Sequence, residues 1–151
     1  MTTLQLGCGI HPMPDATNHD LEKHSPFVDV AWNLDIMPWP WLDVEFERVV
    51  ALDVMEHLKA DVRDWLNECH RILKPEGTLV LRLPAWNAEN SYIDPTHRKL
   101  FHEQTFSYWD ERSDYYQNYG KFYFPEHKLW HIESIERRDN NSNIAYVMRK
   151  V

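Results

Sequence analysis

Cysteine is scarce: Cys8 and Cys69 are the only two in 151 residues. Two do not make a disulfide framework, and a reduced compartment fits. No apolar run approaches the ~18 residues of a membrane span. No basic, then apolar, leader opens the chain. Met1-Thr2 leads straight into a strand pattern, so a cytoplasmic location is the expectation. Positive charge is not in surplus either: the formal net charge is −8. Residues 1–70 hold 4 Lys/Arg against 13 Asp/Glu, and residues 71–151 hold 12 against 11. A basic nucleic-acid footprint is therefore absent from the chain as a whole. There is no G-x-x-x-x-G-K-[ST] loop, which disfavours nucleoside triphosphate chemistry. Repeats, low-complexity tracts and linkers are missing too. At this length the chain reads as one domain, 1–151, with a core of its own.

What is present is a run of short strands. Residues 3–6, 16–19, 27–32 and 48–52 read as the first four, and 78–83 as the fifth. Continuous apolarity in Val49-Val50-Ala51-Leu52 suggests a strand buried on both faces, as in a parallel sheet. Asp61–Leu73 is the best helix, with Val62, Trp65, Leu66, Cys69, Ile72 and Leu73 at helical spacing. Lys74-Pro75-Glu76-Gly77 stops it. Short helical pieces are expected over 54–58 and 103–109. The tail, 130–138 and 144–149 around Asp139-Asn140-Asn141-Ser142, reads as an antiparallel hairpin. The order indicates a mixed, mostly parallel α/β sheet.

In such sheets ligands sit outside the carboxyl ends of the strands. Gly7-Cys8-Gly9 ends the first strand with a turn that brings backbone close to a ligand. Asp20 ends the second and offers a carboxylate to two ribose hydroxyls. Asn33-Leu34-Asp35 follows the third and Asp53 the fourth. Glycine or acid at four strand ends on one edge suggests a nucleoside site.

Three segments carry a family resemblance: Leu-Gln-Leu-Gly-Cys-Gly at 4–9, Val-Ala-Leu-Asp-Val-Met-Glu-His-Leu at 50–58, and Leu-Lys-Pro-Glu-Gly-Thr-Leu-Val-Leu at 73–81. Together they resemble class I S-adenosylmethionine-dependent methyltransferases, and more closely the small type 11-like subgroup. Asp94-Pro95-Thr96-His97, followed by Phe101 and Phe106, is similar to a segment of that subgroup. The resemblance implies a reduced Rossmann-like fold that binds S-adenosylmethionine and releases S-adenosylhomocysteine. It places Gly7, Cys8 and Gly9 beside the methionine moiety and Asp20 on the ribose. Asn33 or Asp35 would meet the adenine amine, with the Leu34 backbone near the ring. Asp53 would lie near the methionine amino group or the methyl. The pattern also departs from the family. His11-Pro12 stands in place of a third glycine, and Asp20 comes only 11 residues after Gly9, where about 20 is usual in dinucleotide folds. The helix after the first strand is thus missing or very short. That leaves part of one sheet face for Trp39 and Trp41, or for the second subunit of a homodimer, to cover.

His97 is the candidate base, with Asp94 orienting it, since an imidazole with a pKa of about 6.5 accepts protons at neutral pH. A structural turn capped by Asp94 or Thr96 is the alternative. His57 could face the cofactor or the acceptor; the plainer reading is that it and Glu56 shape the loop after the fourth strand. No histidine pair has a recognised metal-ligand spacing, so no metal is expected. Residues 86–124 hold 12 of the 20 aromatics and read as core or as an acceptor cap. The expected activity is methyl transfer to a small-molecule or sugar-containing acceptor, with nucleic acid and membrane disfavoured as partners. The alternative is an inactive cofactor-binding module that serves as a partner or regulatory subunit.

Overall fold

The computed structural model describes residues 1–151. Its strands are β1 (Thr3–Leu6), β2 (Thr17–Asp20), β3 (Val30–Ala31), β4 (Phe46–Leu52), β5 (Leu73–Pro84), β6 (Trp130–Arg138) and β7 (Asn143–Lys150). They form one seven-stranded sheet in the order β3-β2-β1-β4-β5-β7-β6. The first five strands are parallel; β7 runs antiparallel to β5, and β6 to β7. The mostly parallel sheet with a closing hairpin is the one the sequence implies. The third strand is shorter than expected, and the piece at 103–109 is a 3-10 turn over Thr105–Trp109. The stop at 74–77 shows in the register: Leu73 lies opposite Phe46 and Thr78 opposite Arg48, so the residues between bulge out.

Register explains the core. Leu4, Val49, Leu79 and Met148 line up across four strands, as do Leu6, Ala51, Leu81 and Tyr146. All are at most 1% exposed. The single long helix, α1 (Val62–Ile72), lays Trp65, Leu66, Cys69 and Ile72 on this face. The Asp61 carboxylate caps it, accepting from the Arg63 N–H at 2.8 Å.

The opposite face is only partly covered. In β5 and β7 the second-face residues Val80, Arg82, Ala145 and Val147 are only half-buried, alternating with the buried set. In β4 Val50 is buried, but Arg48 and Leu52 are not. No helix follows β1. Its place is taken by the 8–16 loop, held through polar side chains rather than apolar packing. The Met13 N–H donates to Gln5 Oε1 at 2.8 Å and Asn18 Oδ1 at 2.9 Å, and Gln5 Nε2 donates to the His11 carbonyl at 3.1 Å. Trp39 and Trp41 do not cover this face. Both are buried in the same cluster as α1, and the Trp39 ring meets Trp65 edge-on at 5.7 Å.

One arginine fixes that tryptophan loop. Arg71 donates to the carbonyls of Trp41 at 2.8 Å and Trp39 at 3.2 Å, and to both Glu68 oxygens at 2.9 Å. Glu68 in turn accepts the Trp39 N–H at 2.6 Å. Burial would raise the Glu68 carboxyl, but these donors hold it below the usual range. Arg71→Ala strands a largely buried carboxylate and frees the loop; a loss of about 3 kcal/mol is expected in urea unfolding. Retention of wild-type stability would show that the clamp is not needed.

His70 packs against Trp130 with Nε2 buried and unpartnered. Burial, helped by the Lys150 charge, lowers its pKa to about 4. The unfolded chain binds this proton first. The contribution of His70 to stability is therefore full above about pH 6.5 and falls away as pH drops toward 4. Denaturation midpoints should decline across that window, and His70→Gln should flatten the decline.

Candidate active site

The site begins at the end of β1. Gly7 has φ +61°, and a Cβ there would lie 2.6 Å from Val54 Cγ2, so a side chain at this position would be strained and would have to displace Val54. Gly9 also has positive φ, +54°. The Gly7 N–H donates to His19 Nδ1 at 3.2 Å. Nδ1 must therefore accept, so the proton sits on Nε2, which donates to the Trp32 carbonyl at 2.8 Å. This buried imidazole ties the ends of β1 and β3 together, and burial lowers its pKa, favouring the neutral form.

Asp20 does the same for the second glycine. Its Oδ2 accepts from the Gly9 N–H at 2.8 Å and from His24 at 3.1 Å, and its Oδ1 from the Leu21 N–H at 2.7 Å. Burial pulls the Asp20 pKa up, but these donors outweigh it and leave it below the usual value. The group is a carboxylate at neutral pH with acceptor capacity left over.

A cavity of about 420 Å³ opens at these strand ends, within the range of small-ligand pockets. Gly7, Gly9, Asp20, Asn33, Leu34, Asp35 and Asp53 all line it. Cys8 does not: it is buried, its N–H bonds the His19 carbonyl at 2.9 Å, and burial raises its thiol pKa. Asp35 Oδ1 is engaged by the N–H groups of Lys59 (3.0 Å) and Ala60 (2.9 Å), and Asn33 Oδ1 by that of Asp35 at 2.9 Å. Asp53 has φ +58° and is paired with the Arg82 guanidinium. Leu21, Leu34, Val54 and Leu58 supply apolar wall. The donor set suits a nucleoside: an ionised acid for hydroxyls, apolar wall for a base, and side-chain-free backbone at Gly7.

His19, Trp32, Val54 and His57 also line the cavity. Sequence reasoning offered His57 a place toward cofactor or acceptor beside a loop-shaping role, and gave the other three no part in holding the cofactor. A histidine next to Asp20 within a short buried strand was the available signal for His19.

Asp94 and His97 lie elsewhere, in a neighbouring cavity of about 350 Å³ with Ser91, Tyr92 and Arg98. Asp94 orients Thr96 more tightly than His97. Its Oδ1 accepts from Thr96 N–H (2.8 Å) and Oγ1 (2.7 Å), while Oδ2 lies 3.6 Å from His97 Nε2. His57 joins the two cavities: its ring lies edge-on to His97, with centroids 4.6 Å apart, and its Nδ1 is 2.8 Å from Thr96 Oγ1. Beside it Glu56 is 1% exposed with neither oxygen partnered, and burial together with the Asp53 charge pushes its pKa up to about 8.

The aromatics of 86–124 divide. Phe101, Phe106, Trp109 and Tyr116 are buried, whereas Trp86, Tyr92, Tyr115, Tyr119, Phe122 and Tyr123 are exposed. Of these only Phe101 and Tyr92 reach the cavities around Asp94–Phe101.

Residues 8–81 match the model of a methyltransferase domain family, type 11. No curated protein matches the chain. Among solved structures, an S-adenosylmethionine-dependent methyltransferase from Archaeoglobus fulgidus superposes with a TM-score of 0.65 at 17% identity, covering 99% of this chain and 86% of that one. A chain of the complex between the Haloferax volcanii Trm112 methyltransferase activator and a methyltransferase gives 0.62 at 14%, covering 98% and 81%. The [4+2]-cyclase SpnF gives 0.66 at 11%, covering 99% and 74%. At such identities the structures establish the fold, and the family match carries the activity and the cofactor. Over residues 8–81, just under half of its length, the chain matches a methyltransferase domain family, and its whole fold is that of S-adenosylmethionine-dependent methyltransferases.

Proposed function

We propose that the cavity at the ends of β1–β4 holds S-adenosylmethionine and that a small-molecule or sugar-containing acceptor enters from the side of Asp94–Leu100. The observation that carries this reading is the pairing of Gly7 and Gly9, both at positive φ, with an ionised Asp20 in one cavity. When bound, the cofactor supplies an electrophilic methyl group. The chain's task is then to align the acceptor and to see its proton removed. Asp20 would hold the ribose. The free Oδ2 of Asp35 is the better acceptor for the adenine amine, since Asn33 Oδ1 is spent on the turn. Asp53, neutralised by Arg82, would lie toward the methionine end. His97, with Asp94 beside it and His57 against it, stands where the acceptor would meet the methyl. In this reading residues 1–151 act as one minimal domain, and 86–124 provide both core and acceptor wall.

A second reading is favoured by the half-exposed sheet face around Val80 and Val147. There a second subunit would dock, either a copy in a homodimer or another protein, and the chain would serve as its cofactor-binding partner. The solved complex of a methyltransferase with an activator is a precedent for the second arrangement.

Calorimetric titration of S-adenosylmethionine and S-adenosylhomocysteine should give micromolar binding to wild type. Asp20→Ala should weaken it at least ten-fold, about 1.4 kcal/mol. Absence of binding by folded wild type would overturn the assignment of this cavity.

A further inference from the structure

Glu56, His57 and His97 bring one carboxylate and two imidazoles together, with ligand atoms within 4.8 Å of one another. The sequence hides this set, because Glu56 and His57 are adjacent while His97 lies on another loop. The fold joins the loops through the Arg98 N–H, which donates to the Glu56 carbonyl at 2.7 Å. We propose that these three side chains bind a first-row divalent cation, which sits between the cofactor and acceptor cavities and holds a hydroxyl group of the acceptor. The cation's role in methyl transfer rests on the reading above; the existence of its site does not.

Three observations support the site. First, Glu56 is 1% exposed and neither of its oxygens has a partner. A buried carboxyl left unpaired is costly, and a cation would satisfy it. Second, both imidazoles have Nδ1 engaged. The Thr96 hydroxyl gives its proton to Asp94 Oδ1, so its oxygen accepts from His57 Nδ1–H. The His97 Nδ1–H faces the Ser91 carbonyl at 3.3 Å. Each ring therefore keeps its lone pair on Nε2, and His57 Nε2 lies 3.8 Å from Glu56 Oε1. Outer-shell bonds that fix the tautomer in this way are typical of metal-ligating histidines. Third, the position is apt: His57 lines the cavity of Gly7 and Asp20, and His97 that of Asp94. The cluster of Asp110, Glu111 and His131 offers a contrast. There Arg112 and the Ile132 N–H occupy Asp110, and His131 Nε2 bonds Glu111 at 2.6 Å. Arg149 takes the His131 Nδ1 as well, so both nitrogens of that ring are engaged and only Glu111 Oε2 is left without a partner.

Ligand atoms around a four-coordinate ion with bonds of about 2.1 Å lie roughly 3.4 Å apart, so small side-chain rotations would close the set. Two nitrogens and one oxygen suit zinc, cobalt, iron or manganese better than magnesium or calcium. Three protein ligands leave a position open, as catalytic sites do. A hydroxyl held there becomes more acidic. The acceptor's O–H proton leaves to water, and its oxygen forms a bond to the methyl carbon. The carbon–sulfur bond breaks with its electron pair staying on sulfur, so alkoxide and sulfonium give ether and thioether. The site thus favours acceptors methylated on a hydroxyl oxygen.

The test is titration of chelator-treated, full-length protein with cobalt(II), followed by calorimetry and visible absorption. One equivalent should bind with micromolar or tighter affinity and give visible ligand-field bands. His57→Ala, His97→Ala and the near-isosteric Glu56→Gln should each weaken binding at least ten-fold, and His102→Gln should not. No stoichiometric binding by wild type, or binding that survives all three changes, would overturn the proposal. The wild-type result stands even if a variant fails to fold. S-adenosylhomocysteine titrated into the same chelated protein separates the two readings. Nucleoside binding without cobalt binding removes only the cation site; cobalt binding without nucleoside binding removes only the cofactor cavity.

Discussion

The sheet has one fully apolar, buried face and a second that is closed only at β1, β2 and β4, and the rest of the structure depends on that constraint. With a single long helix, α1, the chain cannot cover both sides of seven strands. Apolar burial is therefore concentrated where the register lines up leucine, valine, alanine, tyrosine and methionine beneath α1. Burial at roughly 25 cal/mol per Å² makes that layer the main source of stability. It also explains why three tryptophans converge there, and why Arg71 is spent holding a loop where a helix would otherwise pack.

The functional edge uses polar ties instead. His19 and Asp20 are consecutive, and a strand sends them to opposite faces. His19 reaches the Gly7 N–H and Asp20 the Gly9 N–H. The glycine turn is thus held from both sides by β2, without a helix after β1. Gln5 and Asn18 hold the rest of the loop in the same way. A shortened connection needs such ties, because its backbone amides have no helix in which to pair.

Much of this was legible in the sequence. The strand ends were marked by glycine and acid, α1 by its 3.6-residue period, and the hairpin by a polar turn between alternating segments. Two things were not. Continuous apolarity in β4 implied two buried faces; Val50 is enclosed beside Gln5, but the same face stays half-open at β5 and β7. Hydrophobic pattern gives the strand, not what packs on it. The junction of Glu56, His57 and His97 was equally hidden. It is made by two loops brought together by tertiary contact, and sequence spacing carries no trace of that. Asp94 illustrates the same limit: its neighbour at 97 suggested an orienting carboxylate, yet the shorter bonds run to Thr96 and through it to His57.

The cofactor reading requires that this reduced sheet keep its ligand cavity at the ends of β1–β4. Backbone amide shifts of isotope-labelled protein titrated with S-adenosylhomocysteine test it most directly. The account predicts the largest changes at Gly7, Gly9, Leu21, Leu34 and Asp35, with Val80 and Val147 on the open face unmoved. Changes centred on the open face, or none at the glycine turn, would contradict it.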